Sequence, residues 1–166
     1  MRNKEQRIGI FIDVQNLYHS AKNLYKARVN FKELIKNLVG NRKLIRALAY
    51  VVKAESTEAE AAFFDALKQA GIELRMKDIQ VYPGGIKKAD WDVGMAVDAI
   101  RMAGFLDVVV LVTGDGDFLP LLDYVKWGLG RVVEVAAFSR TASAKMKENA
   151  DEFAAIEEIP RVLLKK

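Results

Sequence analysis

Residues 107–118, Asp-Val-Val-Val-Leu-Val-Thr-Gly-Asp-Gly-Asp-Phe, decide how this chain is read. Val108–Val112 is an unbroken apolar run, the pattern of a central parallel strand covered on both faces. The run breaks at Thr113-Gly114 and delivers two carboxylates, Asp115 and Asp117, at the strand's carboxyl end. Working outward, Ile8–Ile12 is a second apolar run that ends the same way, with Asp13 and then Asn16. Packing gains nothing from carboxylates brought close together, because their repulsion costs stability unless a cation or a bound proton offsets it. Two strand ends that send acids to one rim therefore point to a divalent-metal site.

Strand and helix patterns alternate along the rest of the chain. Helical spacing is expected over Leu17–Tyr25 and over Phe31–Leu38, where Phe31, Leu34, Ile35 and Leu38 recur on one face. Leu44–Val52 reads as a strand, followed by a helix capped by Ser56 or Thr57 and closed after Ala70 by Gly71. Ile72–Val81 is a strand region ending in the Pro83-Gly84-Gly85 turn. A helix over Trp91–Ala103 stops at Gly104, and another over Phe118–Trp127 stops at Gly128. Arg131–Phe138 is a further strand, Ala142–Glu148 a short helix, and the tail from Phe153 is mixed. The prediction is an α/β fold, one domain over 1–166, with a central mostly parallel sheet and helices on both faces. In such sheets working groups lie outside the carboxyl ends of the strands, where strand order reverses. If the first and fourth of these strands flank that reversal, Asp13, Asp115 and Asp117 meet in one crevice.

Composition narrows the classes. At 166 residues and 51% hydrophobic content, the chain suits one globular domain. No apolar run reaches the roughly 18 residues of a membrane span, and the opening MRNKEQR lacks a secretory hydrophobic stretch. There are no cysteines, which excludes disulfides, thiolate zinc sites and a cysteine nucleophile and fits a cytoplasmic protein. The net charge of +4 admits a polyanionic partner, although solubility accounts for it equally well.

Mg²⁺ and Mn²⁺ take hard oxygen ligands, so three or four carboxylates from separate elements suit them. After Asp13, Asp115 and Asp117, a fourth candidate is Asp92 in Lys87-Lys88-Ala89-Asp90-Trp91-Asp92, with Asp98 a further one. Six residues along a helix rotate Asp98 roughly 120° from Asp92. Val93, Ala96, Val97, Ile100 and Ala103 mark the expected buried face, which favours Asp92 and leaves Asp98 on the polar side with Arg101. Asn16 is expected to hold the Asp13 carboxylate or a phosphate, and Thr113 to hold Asp115. Plainer roles compete: Asp90 or Asn16 as helix N-caps, Asp117 capping the Phe118 helix, Asp98 as a solvated acid paired with Arg101 or Lys88. His19, the only histidine, is expected at the surface.

Three segments resemble the NYN-domain proteins, specifically the bacterial LabA-like branch, within the PIN-like nuclease superfamily. They are Phe11-Ile12-Asp13-Val14-Gln15-Asn16, the run Lys88-Ala89-Asp90-Trp91-Asp92-Val93-Gly94-Met95-Ala96-Val97-Asp98, and Val112-Thr113-Gly114-Asp115-Gly116-Asp117-Phe118. The last also looks like the Thr-x-Asp-x-Asp-Phe of PIN domains. The resemblance implies a Rossmann-like PIN fold and a Mg²⁺- or Mn²⁺-dependent ribonuclease. By carry-over, Asp13, Asp92, Asp115 and Asp117 would bind metal, Asp98 would contribute and Asn16 would assist.

The leading expectation is therefore metal-assisted hydrolysis of RNA phosphodiester bonds, with Lys87, Lys88, Arg140, Lys145 and Lys147 gripping the RNA. Lys145 and Lys147 also fit the solvated face of a short helix. The alternative is an RNA-binding or regulatory module that keeps the metal site without turnover. A haloacid dehalogenase-type phosphatase wants Asp-x-Asp after the first strand, and Gln15 stands where the second acid belongs. Gly114 and Gly116 lack the third glycine of a dinucleotide site, and there is no Gly-x-x-x-x-Gly-Lys-Ser/Thr run. A homo-oligomer stays open, since exposure of Trp127 or Phe138 cannot be read from the sequence.

Overall fold

The computed structural model describes residues 2–53, 57–85, 87–88 and 90–165, without the side chains of residues 80, 81, 87 and 88. Its elements run β1 (Arg7–Asp13), α1 (Val14–Tyr25), β2 (Ala27–Val29), α2 (Phe31–Val39), β3 (Lys43–Lys53) and α3 (Glu58–Gln69). Then come β4 (Glu73–Asp78), β5 (Gln80–Val81), β6 (Lys87–Lys88), α4 (Asp92–Ala103), β7 (Val108–Val112) and α5 (Leu119–Asp123). The chain closes with β8 (Val132–Ala137), α6 (Ala144–Asn149), β9 (Glu152–Ala155) and β10 (Leu163–Lys165).

Six strands form one parallel sheet in the order β4-β3-β1-β7-β8-β9. Chain order runs outward in one direction from β1 and in the other from β7, so the reversal lies between them, where Ile12 pairs with Val112. All five residues of β7 are buried, as their unbroken apolar run requires. Alternate side chains feed two cores. Ile8, Ile10 and Ile12 pack with Leu17, Leu34 and Leu67 of α1, α2 and α3 on one face. Phe11, Val109 and Leu111 pack with Met95 of α4, Leu122 of α5 and Met146 of α6 on the other.

Several expectations are corrected. Ile72–Val81 is not one strand: β4 joins the sheet, while β5 pairs antiparallel with β6. The short antiparallel pair of β2 and β10 was not foreseen, because three-residue strands carry no readable periodicity. The Phe118–Trp127 helix is composite: a 3₁₀ turn at Gly116–Phe118, then α5, then a π turn at Tyr124–Gly128. Of the two proposed caps for α3, Thr57 accepts from Glu60 N–H, and Ser56 lies outside the described residues.

One buried ion pair ties the helical layer to the sheet. Arg42, just beyond α2, donates to both Glu134 oxygens of β8 at 2.7 and 2.9 Å, and to the Leu38 carbonyl at 2.8 Å. Both side chains are almost fully buried. Removing Arg42 leaves the buried Glu134 only the partly exposed Arg2 guanidinium, 3.7 Å away. Most of the cost of a broken buried pair, about 3–5 kcal/mol, is therefore expected, whereas replacing both Arg42 and Glu134 with apolar groups is often near neutral. In urea denaturation Arg42→Met is expected to lose that much stability, and Arg42→Met/Glu134→Leu to regain most of it. Equal losses in the single and double variants would contradict this account.

Candidate metal centre

The turn that leaves β1 sets the first acid. Asp13 ends the strand and caps α1, its Oδ1 accepting the Asn16 N–H at 3.3 Å. Its Oδ2 accepts the Thr113 hydroxyl at 2.9 Å across the β1–β7 junction. Thr113, fully buried, also accepts the Asp115 N–H at 3.2 Å, and Asn16 Oδ1 accepts the Gly114 N–H at 3.0 Å. The loop after β7 is thus stitched to the loop after β1 by side chains that are themselves satisfied. Gly114 sits tightly there: a Cβ would lie 3.0 Å from the Ala142 Cα, against the backbone that enters α6.

The second acid comes from the start of α4. Asp90 Oδ1 accepts the Asp92 N–H at 3.1 Å, and Trp91 docks the helix end on the sheet. The Trp91 indole N–H donates to the Val51 carbonyl at 2.9 Å, and its ring meets Tyr50 edge-on at 5.6 Å. The ring also lies over Gly94, where a Cβ would come within 2.4 Å of it. Tyr50 is the β3 partner of Asp13, so this anchor places Asp92 beside the β1 terminus.

Asp13, Asp92 and Asp115 each offer a carboxylate oxygen, all within 4.8 Å of one another. Burial raises the Asp13 pKa, opposed by its bonds from Thr113 and Asn16. Asp92 is pushed up to about 6, first by burial and then by repulsion from Asp13, Asp90, Asp115 and Asp117. Oxygen-only donors under mutual repulsion suit a hard divalent cation. Asp13, Asp92 and Asp115 are the residues that would hold such an ion.

The other predicted residues fall as follows. Asp117 is exposed beside the cluster but outside the group of three, and Asp115, not Asp117, caps the turn, accepting the Asp117 N–H at 2.9 Å. Asp98 lies outside the group as well. The expected phase of α4 is corrected: Met95, Asp98, Ala99 and Ala103 are buried, while Val93 is 76% and Val97 46% exposed. Asp98, only 3% exposed, accepts the Tyr50 hydroxyl at 2.8 Å and pairs with Arg75 at 3.2 Å and Arg101 at 3.7 Å. Asn16 holds Asp13 through its backbone N–H, not its amide, and Thr113 donates to Asp13 instead of holding the Asp115 carboxylate. The N-cap of α4 is Trp91, not Asp90.

Among the basic residues, Arg140 and Lys145 are exposed, whereas Lys147 donates to the Ser139 carbonyl at 2.6 Å. The side chains of Lys87 and Lys88 lie outside the described residues. His19 is exposed, as expected; Trp127 is exposed and Phe138 buried. Sequence reasoning passed over Trp91, Tyr50, Arg75 and Lys77. The available signal was Trp91 between two acids with a glycine three residues on, a spacing that lets an indole fold back over the first helical turn.

The family model of the NYN domain matches residues 7–157. A crystal structure of a protein of unknown function from Vibrio parahaemolyticus is similar to this chain, with a TM-score of 0.89, 29% sequence identity and 99% of each chain covered. No curated protein matches the chain.

The raised Asp92 pKa means that the folded protein holds more protons than the unfolded chain between about pH 4 and the value near 6. Stability from this group is present at low pH and falls as pH rises through that window. A shift of this size is about 3 kcal/mol at face value, reduced to roughly 1 kcal/mol by solvent screening of a partly exposed group. Calorimetry in EDTA at pH 7.5 should therefore show Asp92→Asn melting about 2–4 °C above wild type, with no advantage below pH 4. A lower melting temperature at pH 7.5 would contradict the repulsion.

Proposed function

Because the chain belongs to the NYN domain family, a PIN-like nuclease family, we propose that it is a metal-dependent ribonuclease of the LabA-like branch. The observation that carries this reading is the convergence of Asp13, Asp92 and Asp115 at the strand-order reversal, with their oxygens within 4.8 Å. We read 1–166 as one such domain and place it in the cytoplasm. Among the described residues no helix is long and apolar enough to cross a membrane.

Asp13, Asp92 and Asp115 would hold a Mg²⁺ or Mn²⁺ ion. When bound, the ion supplies Lewis-acid chemistry, lowering the pKa of a water and compensating charge on the phosphate. The chain's own groups do the rest. Thr113 and the Asn16 N–H fix the Asp13 carboxylate, so its oxygens need no reorganisation when a ligand arrives. Asn16 and Gly114 hold the two loops in register. Asp117, exposed beside the group, is the carboxylate left to accept the proton of the attacking water. Asp98 acts as a positioning residue: its bonds from Tyr50 and Arg75 fix the roll of α4 and with it the direction of Asp92.

A metal-titrated assay on labelled single-stranded RNA tests the reading, comparing wild type with Asp115→Asn. Cleavage should need Mg²⁺ or Mn²⁺, disappear in EDTA and fall at least a hundredfold in the variant, about 3 kcal/mol of transition-state stabilisation. Equal cleavage by both would assign the activity to another site or a contaminant. RNA bound in the presence of Mn²⁺ and left intact at high protein excess would favour the non-catalytic binding module.

A further inference from the structure

β4 is an edge strand, and its two sides differ. Leu74 points into the core beneath α3, while Glu73, Arg75 and Lys77 alternate onto the opposite side, toward α4. Arg75 and Lys77 both reach the Trp91 ring: the guanidinium carbon lies 5.8 Å and the ammonium 5.1 Å from its centroid. The ring itself is immobilised by Val51, Tyr50 and Gly94, as described above.

The charges on this face do not cancel. Arg46 is matched by Glu73, at 2.6 and 2.8 Å, and Arg75 and Arg101 share the single carboxylate of Asp98. Lys77 has no carboxylate partner among the described residues; its ammonium rests on the indole. Arg46, Arg75, Lys77 and Arg101 meet the carboxylates of Glu73 and Asp98, Lys77 alone of the four without an ion-pair partner among the described residues. Asp90 and Asp92 flank Trp91 on the side of the acids. Arg75, 47% exposed, keeps guanidinium N–H groups free of Asp98 and open to solvent.

The patch adjoins the acids. Asp13 pairs with Tyr50 and Tyr50 with Arg75, so the track starts two strand spacings, roughly 10 Å, from the first acid. Trp91 directly precedes Asp92. A polyanion approaching three acids needs compensating positive charge nearby, and here it is coupled to an aromatic ring. The ring, covered by Gly94 and by these cations, holds the two side chains in place so that their charge can meet a phosphate backbone. On the opposite rim Lys147 is committed to the Ser139 carbonyl, while Arg140 and Lys145 are exposed.

We infer that the RNA strand leaves the acidic group across β4, with its phosphates on Lys77 and Arg75, which the Trp91 ring holds in place. This rests on the ribonuclease reading and adds the substrate's path to it. Lys77 is a binding residue in this account, outside the metal group.

Fluorescence anisotropy of a labelled single-stranded oligouridylate, with Ca²⁺ in place of Mg²⁺, measures binding; Mn²⁺-dependent cleavage of the same RNA is followed in parallel. Lys77→Glu should raise Kd at least tenfold and lower the slope of log K against log salt by about 0.7, the loss of one phosphate contact on a single strand. Its KM should rise with kcat nearly unchanged. Arg75→Lys, which keeps a cation opposite Asp98, should weaken binding several-fold, and Lys68→Ala, exposed on α3 across the sheet, less than twofold. If wild type binds and cleaves while Lys77→Glu keeps its Kd and salt slope, the track is wrong and the ribonuclease reading stands. A fall in kcat with no change in KM or slope would also overturn the track. If wild type neither binds nor cleaves, the ribonuclease reading fails, and the track with it.

Discussion

The parallel pairing of β1 with β7 is the constraint on which the site depends. It brings the ends of two strands, about 100 residues apart in the chain, to adjacent positions. The hydroxyl of Thr113 then bonds Asp13 on the neighbouring strand, and Asn16 bonds Gly114 in the loop after β7. A register slip of one residue would turn Ile8, Ile10 and Ile12 out of their core and separate these contacts, so the hydrophobic pattern that fixes the register also positions the acids.

Holding acids together works against stability. The cost is visible in Asp92, held well above the ordinary carboxylate range by burial and by its acidic neighbours. Elsewhere the protein treats acids differently. Glu134 is buried against Arg42, and Asp98 against Tyr50, Arg75 and Arg101. Asp107, at the mouth of β7, is brought down to about 2 by hydrogen bonds from Arg7. Those carboxylates are neutralised by partners from the chain; Asp13, Asp92 and Asp115 are grouped without a cationic side chain of their own among the interactions described. That difference sets the grouped acids apart from those paired within the fold, and it is what supports the proposed metal site.

Much of this was legible in the sequence. β7 and β1 stood out as unbroken apolar runs, and their terminal acids could be assigned to one crevice because open parallel sheets place strand ends there. The rotation of α4 was not legible. Val93, Val97 and Ile100 look like a buried stripe, yet they face solvent, because Asp98 turns inward to the buried Tyr50 hydroxyl and pairs with the more exposed Arg75 and Arg101. Arg101, three residues on, was a readable partner, but Tyr50 and Arg75 lie on other elements, so nothing local shows that the acid is buried, and periodicity assigns the wrong face. Asp92, favoured over Asp98 from the sequence while Asp98 was kept as a further candidate, lies in the group of three, but the apolar stripe used to favour it was misplaced. Trp91 shows the opposite case: its flanking acids were read, but its anchoring to Val51 needed the fold.

The central claim is that three carboxylates from β1, the β7 loop and α4 form a cage for one hard cation. Anomalous scattering from a crystal soaked in manganese measures this directly. The account predicts one strong peak within about 2.0–2.4 Å of oxygens from Asp13, Asp92 and Asp115, absent after an EDTA wash. An empty map at that position in well-soaked crystals, with the three side chains turned apart, would contradict it.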